Sequence, residues 1–283
     1  MSENISAEMV MTLRKRTGVG MSQCKEALVE AKGDVEEAIH ILRKKGIASA
    51  IKKGARETNE GVIGIAQDDK CAYLVEVNAE TDFVIQNERF KEFLQNICNE
   101  ALTANPETLE DFMHQKYSKN PSLTIDEYRA EIVHSLGENI QIRRIRELKK
   151  ESNQSVGIYS HMGGKIVTAI VIDGSSECKD LAHGIAMHIA AESPEYLREE
   201  DVPVEVLKKE EEIARSQVQN KPAEIIDKIV GGKIKAFYEQ ACLVNQKFVK
   251  EPTMTIAEVI EKEGKKLGKK LQAVEFLRWQ IGE

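Results

Sequence analysis

Asp82 and Phe83, side by side in Thr81-Asp82-Phe83-Val84, are the residues of this chain whose types and setting most invite a contact role. A carboxylate can fix a turn or accept backbone N–H groups, and a neighbouring ring offers a large apolar payload. The run Tyr73-Leu74-Val75-Glu76-Val77 before them reads as a strand, and Phe90 to Ala101 after them is patterned like a helix. Asn78, Thr81 and Asp82 favour turns and caps, so Phe83 sits in a turn between strand and helix. It either tucks back into the local core, as most phenylalanines do, or is held out as a wedge for a partner. Residue types alone leave both readings open.

Covalent chemistry finds little support elsewhere. Gly163-Gly164-Lys165 and Gly231-Gly232-Lys233 lack the upstream glycine and the following Ser or Thr of a phosphate loop. His183 and His188 are five positions apart, which one helix does not bring onto one metal. No HExxH, GxSxG or paired Cys/His spacing occurs. No metal site, cofactor or catalytic residue is expected.

The chain has 283 residues, enough for two or three domains, and a formal net charge of −7. That acidity argues against general nucleic-acid binding, which needs a broad basic face. Charged residues make up 31% and aromatics 5%, the balance of many solvated helices over modest cores. The five cysteines are scattered without a CxxC pair, as buried thiols of a reducing cytosol would be. No apolar run is long enough for a membrane span and no signal or transit pattern opens the chain, so a cytoplasmic, bacterial setting is expected.

The elements that must position the turn follow in order. Residues 1–50 read as three short helices, with Ser6 as a cap, Thr17-Gly18-Val19-Gly20 and Gly33 as breaks, and Asp34 with Glu37 as a capping-box-like start. The basic stretch 44–56 reads as a short helix and a linker. Val62 to Ala66 and Ala72 to Val77 form a hairpin around Asp68-Asp69-Lys70, followed by the Thr81 turn and a helix over about 87–104. Two helical patterns span 106–135, interrupted at Asn120-Pro121, and Ile140 to Ile145 alternates like a strand. A second hairpin, Val156 to Tyr159 and Ile166 to Ile172, precedes a helix from about Cys178 to Ala191. The hairpin-then-helix order thus repeats. Residues 203–240 read as an antiparallel helical hairpin broken at Lys221-Pro222, and Gln272 to Ile281 as a closing strand.

Thr81-Asp82-Phe83-Val84 behind Glu76-Val77-Asn78 resembles the core signature of the elongation factor Ts family, bacterial exchange factors that release GDP from elongation factor Tu. Leu13 to Met21 with Cys24-Lys25-Glu26-Ala27-Leu28 resembles that family's opening module. Gly137-Glu138-Asn139-Ile140 with Arg143-Arg144, and Tyr159-Ser160-His161, extend the likeness in the family's order.

The resemblance implies an α+β fold. A three-helix, ubiquitin-associated-like domain (1–54) would precede a duplicated antiparallel hairpin/helix core, 55–150 and 151–283, with a helical hairpin inserted at about 203–240. It assigns Thr81, Asp82, Phe83 and Val84 to dislodging Mg²⁺ from the GTPase, with Phe83 as the wedge. Leu136, Gly137 and His161, and the opening-module residues Arg14 and Met21, would make further contacts. Leu136 stands where well-known members carry Ile, a swap conservative in volume. The implied partner is elongation factor Tu, with no direct binding of nucleotide, nucleic acid or membrane. The helical hairpin can mediate self-association, or stand as a solvated protrusion. In well-known members a further helix follows the closing strand, so its contact is expected to be absent or replaced here. The competing reading is a non-catalytic adaptor that docks proteins without changing nucleotide release.

Overall fold

The computed structural model describes residues 5–218 and 222–283. Ser6 opens helix α1 (Ala7–Thr17), its hydroxyl accepting from the Met9 amide at 3.1 Å. Gly18 closes it at φ +68°. Helix α2 (Met21–Glu30) follows Gly20, and α3 (Val35–Lys53) starts at Asp34, whose carboxylate accepts from the Glu36 and Glu37 amides. Leu13, Cys24, Ala27, Leu28 and Ala38 form the fully buried centre of these three helices.

Helix α3 corrects one expectation. It runs unbroken to Lys53 where the sequence suggested a short helix and a linker. Ile47, Ala48, Ala50 and Ile51 carry the helix past Gly46, and Gly46 lies 3.5 Å (from its added-Cβ position) from the Ala130 carbonyl of a neighbouring helix. Tertiary packing outweighs the roughly 1 kcal/mol a glycine costs a helix interior.

Strands β1 (Glu60–Gln67) and β2 (Cys71–Ala79) pair antiparallel, and β5 (Ile140–Lys149) pairs with the other edge of β2. The Asp68 carboxylate caps their turn, accepting from the Lys70 and Cys71 amides at 2.7 and 2.9 Å. Strand alternation places Tyr73, Val75 and Val77 in one core with Phe90, Phe93 and Ile97 of α5 (Glu88–Ala104). Between them lies α4 (Asp82–Gln86). After α5 come α6 (Leu109–His114), a small hairpin of β3 (Lys116–Tyr117) and β4 (Asn120–Thr124), and α7 (Ile125–Leu136). The small hairpin replaces the mere interruption expected at Asn120-Pro121.

The remaining elements are β6 (Gln154–His161), β7 (Ile166–Asp173), α8 (Lys179–Glu192), α9 (Val204–Ser216), α10 (Ala223–Ala241), β8 (Lys247–Phe248), β9 (Glu251–Thr255), α11 (Ile256–Leu267) and β10 (Gln272–Gln280). The three long strands order as β10-β7-β6. Of the break expected at Lys221-Pro222, Lys221 lies outside the described residues, and Pro222 is the N-cap of α10. The chain divides into two compact units, one up to Lys149 together with Ile281–Glu283, the other Lys150–Gln280. The fold is α+β, with helices layered on antiparallel sheets.

The element order of the second unit repeats that of the first, and the repeat reaches single residues. Gly64 pairs with Val75 in β1/β2, and Gly157 with Ile170 in β6/β7. A Cβ on Gly64 would stand 2.5 Å from Cys98 Sγ, and one on Gly157 2.2 Å from the Ala182 carbonyl carbon, so each glycine lets its helix approach its hairpin. Helices α7 and α11 carry matching capping boxes, Thr124/Glu127 and Thr255/Glu258, and both end at a left-handed glycine, Gly137 and Gly268. Every one of these α7 and α11 positions is separated by 131 residues.

Candidate partner-binding surface

Thr81 leaves β2 in an extended conformation (φ −130°, ψ 157°) and caps α4, its hydroxyl accepting from the Val84 amide. Asn87 closes α4 and caps α5 in turn, accepting from the Arg89 amide at 2.9 Å. A five-residue helix between two caps has little freedom to rotate. Val84 and Ile85 therefore point into the core, and Phe83 points out, 83% exposed. Phe83 therefore lies in a short helix and not in the turn expected between strand and helix, because Thr81 caps a helical turn there, and its ring stands away from the core. Asp82 is exposed in the first turn beside it.

A carboxylate from another element braces the turn. Glu138 Oε1 accepts from the Thr81 hydroxyl at 2.7 Å and Oε2 from the Thr81 amide at 3.0 Å. The bracing is mutual, because Glu80 Oε1 accepts from the Asn139 amide at 2.6 Å and pairs with Arg56 at 3.2 Å. Asn139 also donates to the Arg56 carbonyl at 2.8 Å. Hydrogen bonds to charged acceptors are worth roughly 1.5–3 kcal/mol each, so this network fixes the Phe83 turn to the end of α7. Sequence reasoning gave neither Glu80 nor Glu138 a role. Their signal was adjacency, each flanking a residue already singled out.

Glu138 follows Leu136 and Gly137, so these two expected contact residues stand next to the braced turn along the chain of bonds. Leu136 is half-buried against the core and Gly137, at φ +84°, is exposed with nothing near its Cβ position. Both line an open groove of about 600 Å³ with Gly20, Gln23, Lys45 and Lys52. Met21, beside Gly20, is 39% exposed, and Arg14 is exposed on the last turn of α1. Burial pushes the His134 imidazole at the groove below its ordinary pKa, and Lys53 and Lys45 push the same way. Arg89 Nη2 donates to the Thr17 carbonyl at 3.0 Å, tying the corner between α1 and α2 to the start of α5. His161 belongs to the second unit, where it is exposed at the end of β6 with Nδ1 3.0 Å from the Tyr159 hydroxyl.

The thiols are buried, and burial pushes Cys98 up to about 12 and Cys242 up to about 11, so both stay protonated at neutral pH. His183 bonds the Ile158 carbonyl while His188 is buried against Gln246 and Val249, so the two rings share no site. Among the described residues no cluster of three or more potential metal ligands occurs, and no helix is long and apolar enough to cross a membrane.

The first unit thus exposes an aromatic ring on a braced segment and an open groove edged with lysines. A family model described as Elongation factor TS matches residues 80–283. Elongation factor Ts of Protochlamydia amoebophila is 54% identical over 279 residues, and that of Chlamydia muridarum 44% identical, each match covering 99% of both chains. The same protein of Chlamydia caviae is 44% identical over the same span. The chain belongs to the elongation factor Ts family and is a translation elongation factor.

Proposed function

We propose that this chain binds elongation factor Tu in its GDP form and promotes GDP release by dislodging Mg²⁺ with the Thr81-Asp82-Phe83-Val84 turn, so that GTP can load. The observation that carries the reading is the 83% exposure of Phe83 on a turn held by caps and by Glu138. Mg²⁺ demands near-ideal octahedral geometry, so a small displacement of its surroundings costs much affinity. A ring inserted between packed elements of the GTPase supplies that displacement, and burying it contributes about 1.5–3 kcal/mol. Asp82 fixes the turn or accepts from the partner's backbone. Leu136 and Gly137 dock against the GTPase, Arg14 and Met21 extend the contact, and His161 supports displacement on the phosphate side. The chain does not bind the nucleotide itself and makes or breaks no covalent bond. It works in the cytoplasm, and the hairpin α9/α10, with Val204, Ile213 and Ile225 exposed, serves self-association.

The test is release of labelled GDP from elongation factor Tu by catalytic amounts of this protein, repeated with rising GDP at fixed Mg²⁺. Linkage requires Mg²⁺·GDP to weaken binding of this protein by the factor by which the protein weakens Mg²⁺·GDP. Strong binding to the nucleotide-free GTPase and progressive loss with GDP are expected. Equal affinity at every GDP concentration would make the chain a simple docking adaptor.

A further inference from the structure

The three opening helices are held to the rest of the first unit along α3. Arg43 pairs with Glu131 of α7 at 3.1 Å and donates to the Ser122 hydroxyl at 3.2 Å. Lys53 reaches the Val133 carbonyl, and the side-chain amides of Asn139 and Gln141 donate to the Gly54 carbonyl. Gly46 comes to van der Waals distance of Ala130 and His134. Among the described residues, the one side-chain hydrogen bond that reaches α1 or α2 from beyond these three helices comes from Arg89.

Arg89 stands at a junction. Its backbone amide donates to Asn87 Oδ1 at 2.9 Å, within the cap that ends α4 and starts α5. Its half-buried side chain crosses to the corner between α1 and α2, where Nη2 donates to the Thr17 carbonyl at 3.0 Å. Gly18, at φ +68°, leaves the space for it, since a Cβ there would overlap the guanidinium. Beside the same corner, a cavity of about 20 Å³ is lined by Thr17, Val19 and Leu42 together with Glu131 and His134 of α7. Packing alone therefore does not clamp the corner there. Arg14 and Met21, both exposed, flank Gly18 in sequence, so they are mounted on the stretch that Arg89 grips.

We propose that Arg89 is a positioning residue: it straps the α1/α2 corner to the α4/α5 junction, so that Arg14, Met21 and Phe83 meet one partner surface together. This rests on the reading that all three touch elongation factor Tu. Helices held along α3 alone can roll about its axis, and a second anchor off that axis stops the roll. Contacts on a rigid frame reinforce one another, because the second forms without a fresh search once the first is made. A loose frame loses that gain to the ordering it must then undergo. An arginine suits the task, since its fork of donors is planar, rigid and always charged, where an ammonium is a hydrated point charge on a flexible stem. Phe83 itself stays braced by Glu138 through Thr81, so releasing the strap leaves the wedge intact.

The experiment compares the full-length parent with Arg89→Ala and Arg89→Lys in two assays. In the first, GDP release from elongation factor Tu is followed as each protein is titrated to saturation. Arg89→Ala should raise the concentration for half-maximal rate about fivefold or more and keep the maximal rate within about twofold. Arg89→Lys, which retains a donor, should recover part of the loss. With Arg14 and Met21 both changed to Ala, adding Arg89→Ala should cost less than about twofold. An equal cost in both backgrounds overturns the proposal, since Arg89 would then act apart from the residues it is said to position. So does a fall in maximal rate with half-saturation unmoved. In the second assay, amide hydrogen exchange is measured without the GTPase. Peptides covering 13–24 should exchange several-fold faster in Arg89→Ala, while those covering 38–50 of α3 keep the parent rate. An unchanged corner overturns the strap. A parent that does not speed GDP release overturns the reading of function instead, and the strap is then decided by hydrogen exchange alone.

Discussion

The two units share a plan and part company at two links. Between β2 and α5 the first unit is longer: Val75 and its counterpart Ile170 are 95 positions apart, but the helix C-caps Asn105 and Ser193 only 88. The first unit thus carries seven extra residues over that stretch, three of them in the link itself (80–87 against 174–178), which holds Phe83. From the C-cap of α5 or α8 to the small hairpin the second unit is longer, and its surplus holds α9 and α10. Where the units agree, the matched residues serve folding. Glu100 accepts from the Ser118 amide at 3.1 Å in one unit, and His188 accepts from the Val249 amide at 3.3 Å in the other, each docking a small hairpin onto a helix. The copies teach that shared positions build the scaffold and that the insertions are where a special role is to be sought.

The strongest test of that division is Phe83→Ala. Its ring is exposed, so the unfolding midpoint should hold while GDP release from elongation factor Tu falls at least tenfold, about 1.4 kcal/mol in the barrier. Unfolding of the variant would return Phe83 to the scaffold side of the comparison, and unchanged exchange would leave the insertion without a task.

Glu138→Ala sharpens the point, because this brace stands just after α7, outside the insertion, yet holds it. It removes both bonds to Thr81. A loss of about 1.5–3 kcal/mol of stability is expected, with a several-fold drop in exchange. Glu138→Gln, which retains an acceptor, should recover part of each. If denaturant melts show Glu138→Ala as stable as the parent, the brace is ornamental.

How much was legible without coordinates follows the same division. The hairpins β1/β2 and β6/β7 were plain because alternation and the Asp68 and Gly163-Gly164 turns are local signals. The caps at Ser6, Asp34 and Thr81 were equally local. The small hairpins β3/β4 and β8/β9 were not, since two paired residues apiece leave no period to read. The outward aim of Phe83 could not be derived either: it depends on Val84 and Ile85 winning the core, which is a contest of packing. Glu138 reaches Thr81 across 57 residues, beyond any sequence window.

His188 makes the stability of the second unit depend on pH. His188 is fully buried, and burial holds its imidazole below the ordinary pKa, opposed by the Gln246 hydrogen bond and Glu192. The unfolded chain therefore binds a proton more readily than the folded one. The stability from neutral His188 is complete above the unfolded pKa of about 6.5 and is lost as pH falls from there through the lowered folded pKa. His134, also lowered, adds in the same direction in the first unit. Urea melts between pH 7.5 and 5 should show stability falling with acid, by at most about 1.4 kcal/mol per pH unit for each histidine. His188→Gln should flatten the curve, leaving the His134 part. A pH-independent parent would refute both.

The smallest expected effect comes from the other insertion. The first unit joins α5 to β3 with the eleven residues Asn105–Gln115, so the shared plan closes without a helical hairpin. In the second unit α9 and α10 leave and return at one place: the Glu195 and Tyr196 amides both donate to the Ala241 carbonyl, at 2.9 and 3.0 Å. A short loop in place of 203–240 therefore spans little distance. Loop-closure cost rises by only about 0.6 kcal/mol per doubling of length, so shortening the link carries no large entropic penalty. The hairpin's own buried surface is small, with Ala214, Val218 and Val230 its buried side chains among the described residues. The truncated protein should fold and retain GDP release within about twofold, a barrier change near 0.4 kcal/mol. Any self-association measured by sedimentation should disappear with the hairpin. A folded truncation that had lost exchange would mean that both insertions, and not the Phe83 turn alone, act on the GTPase.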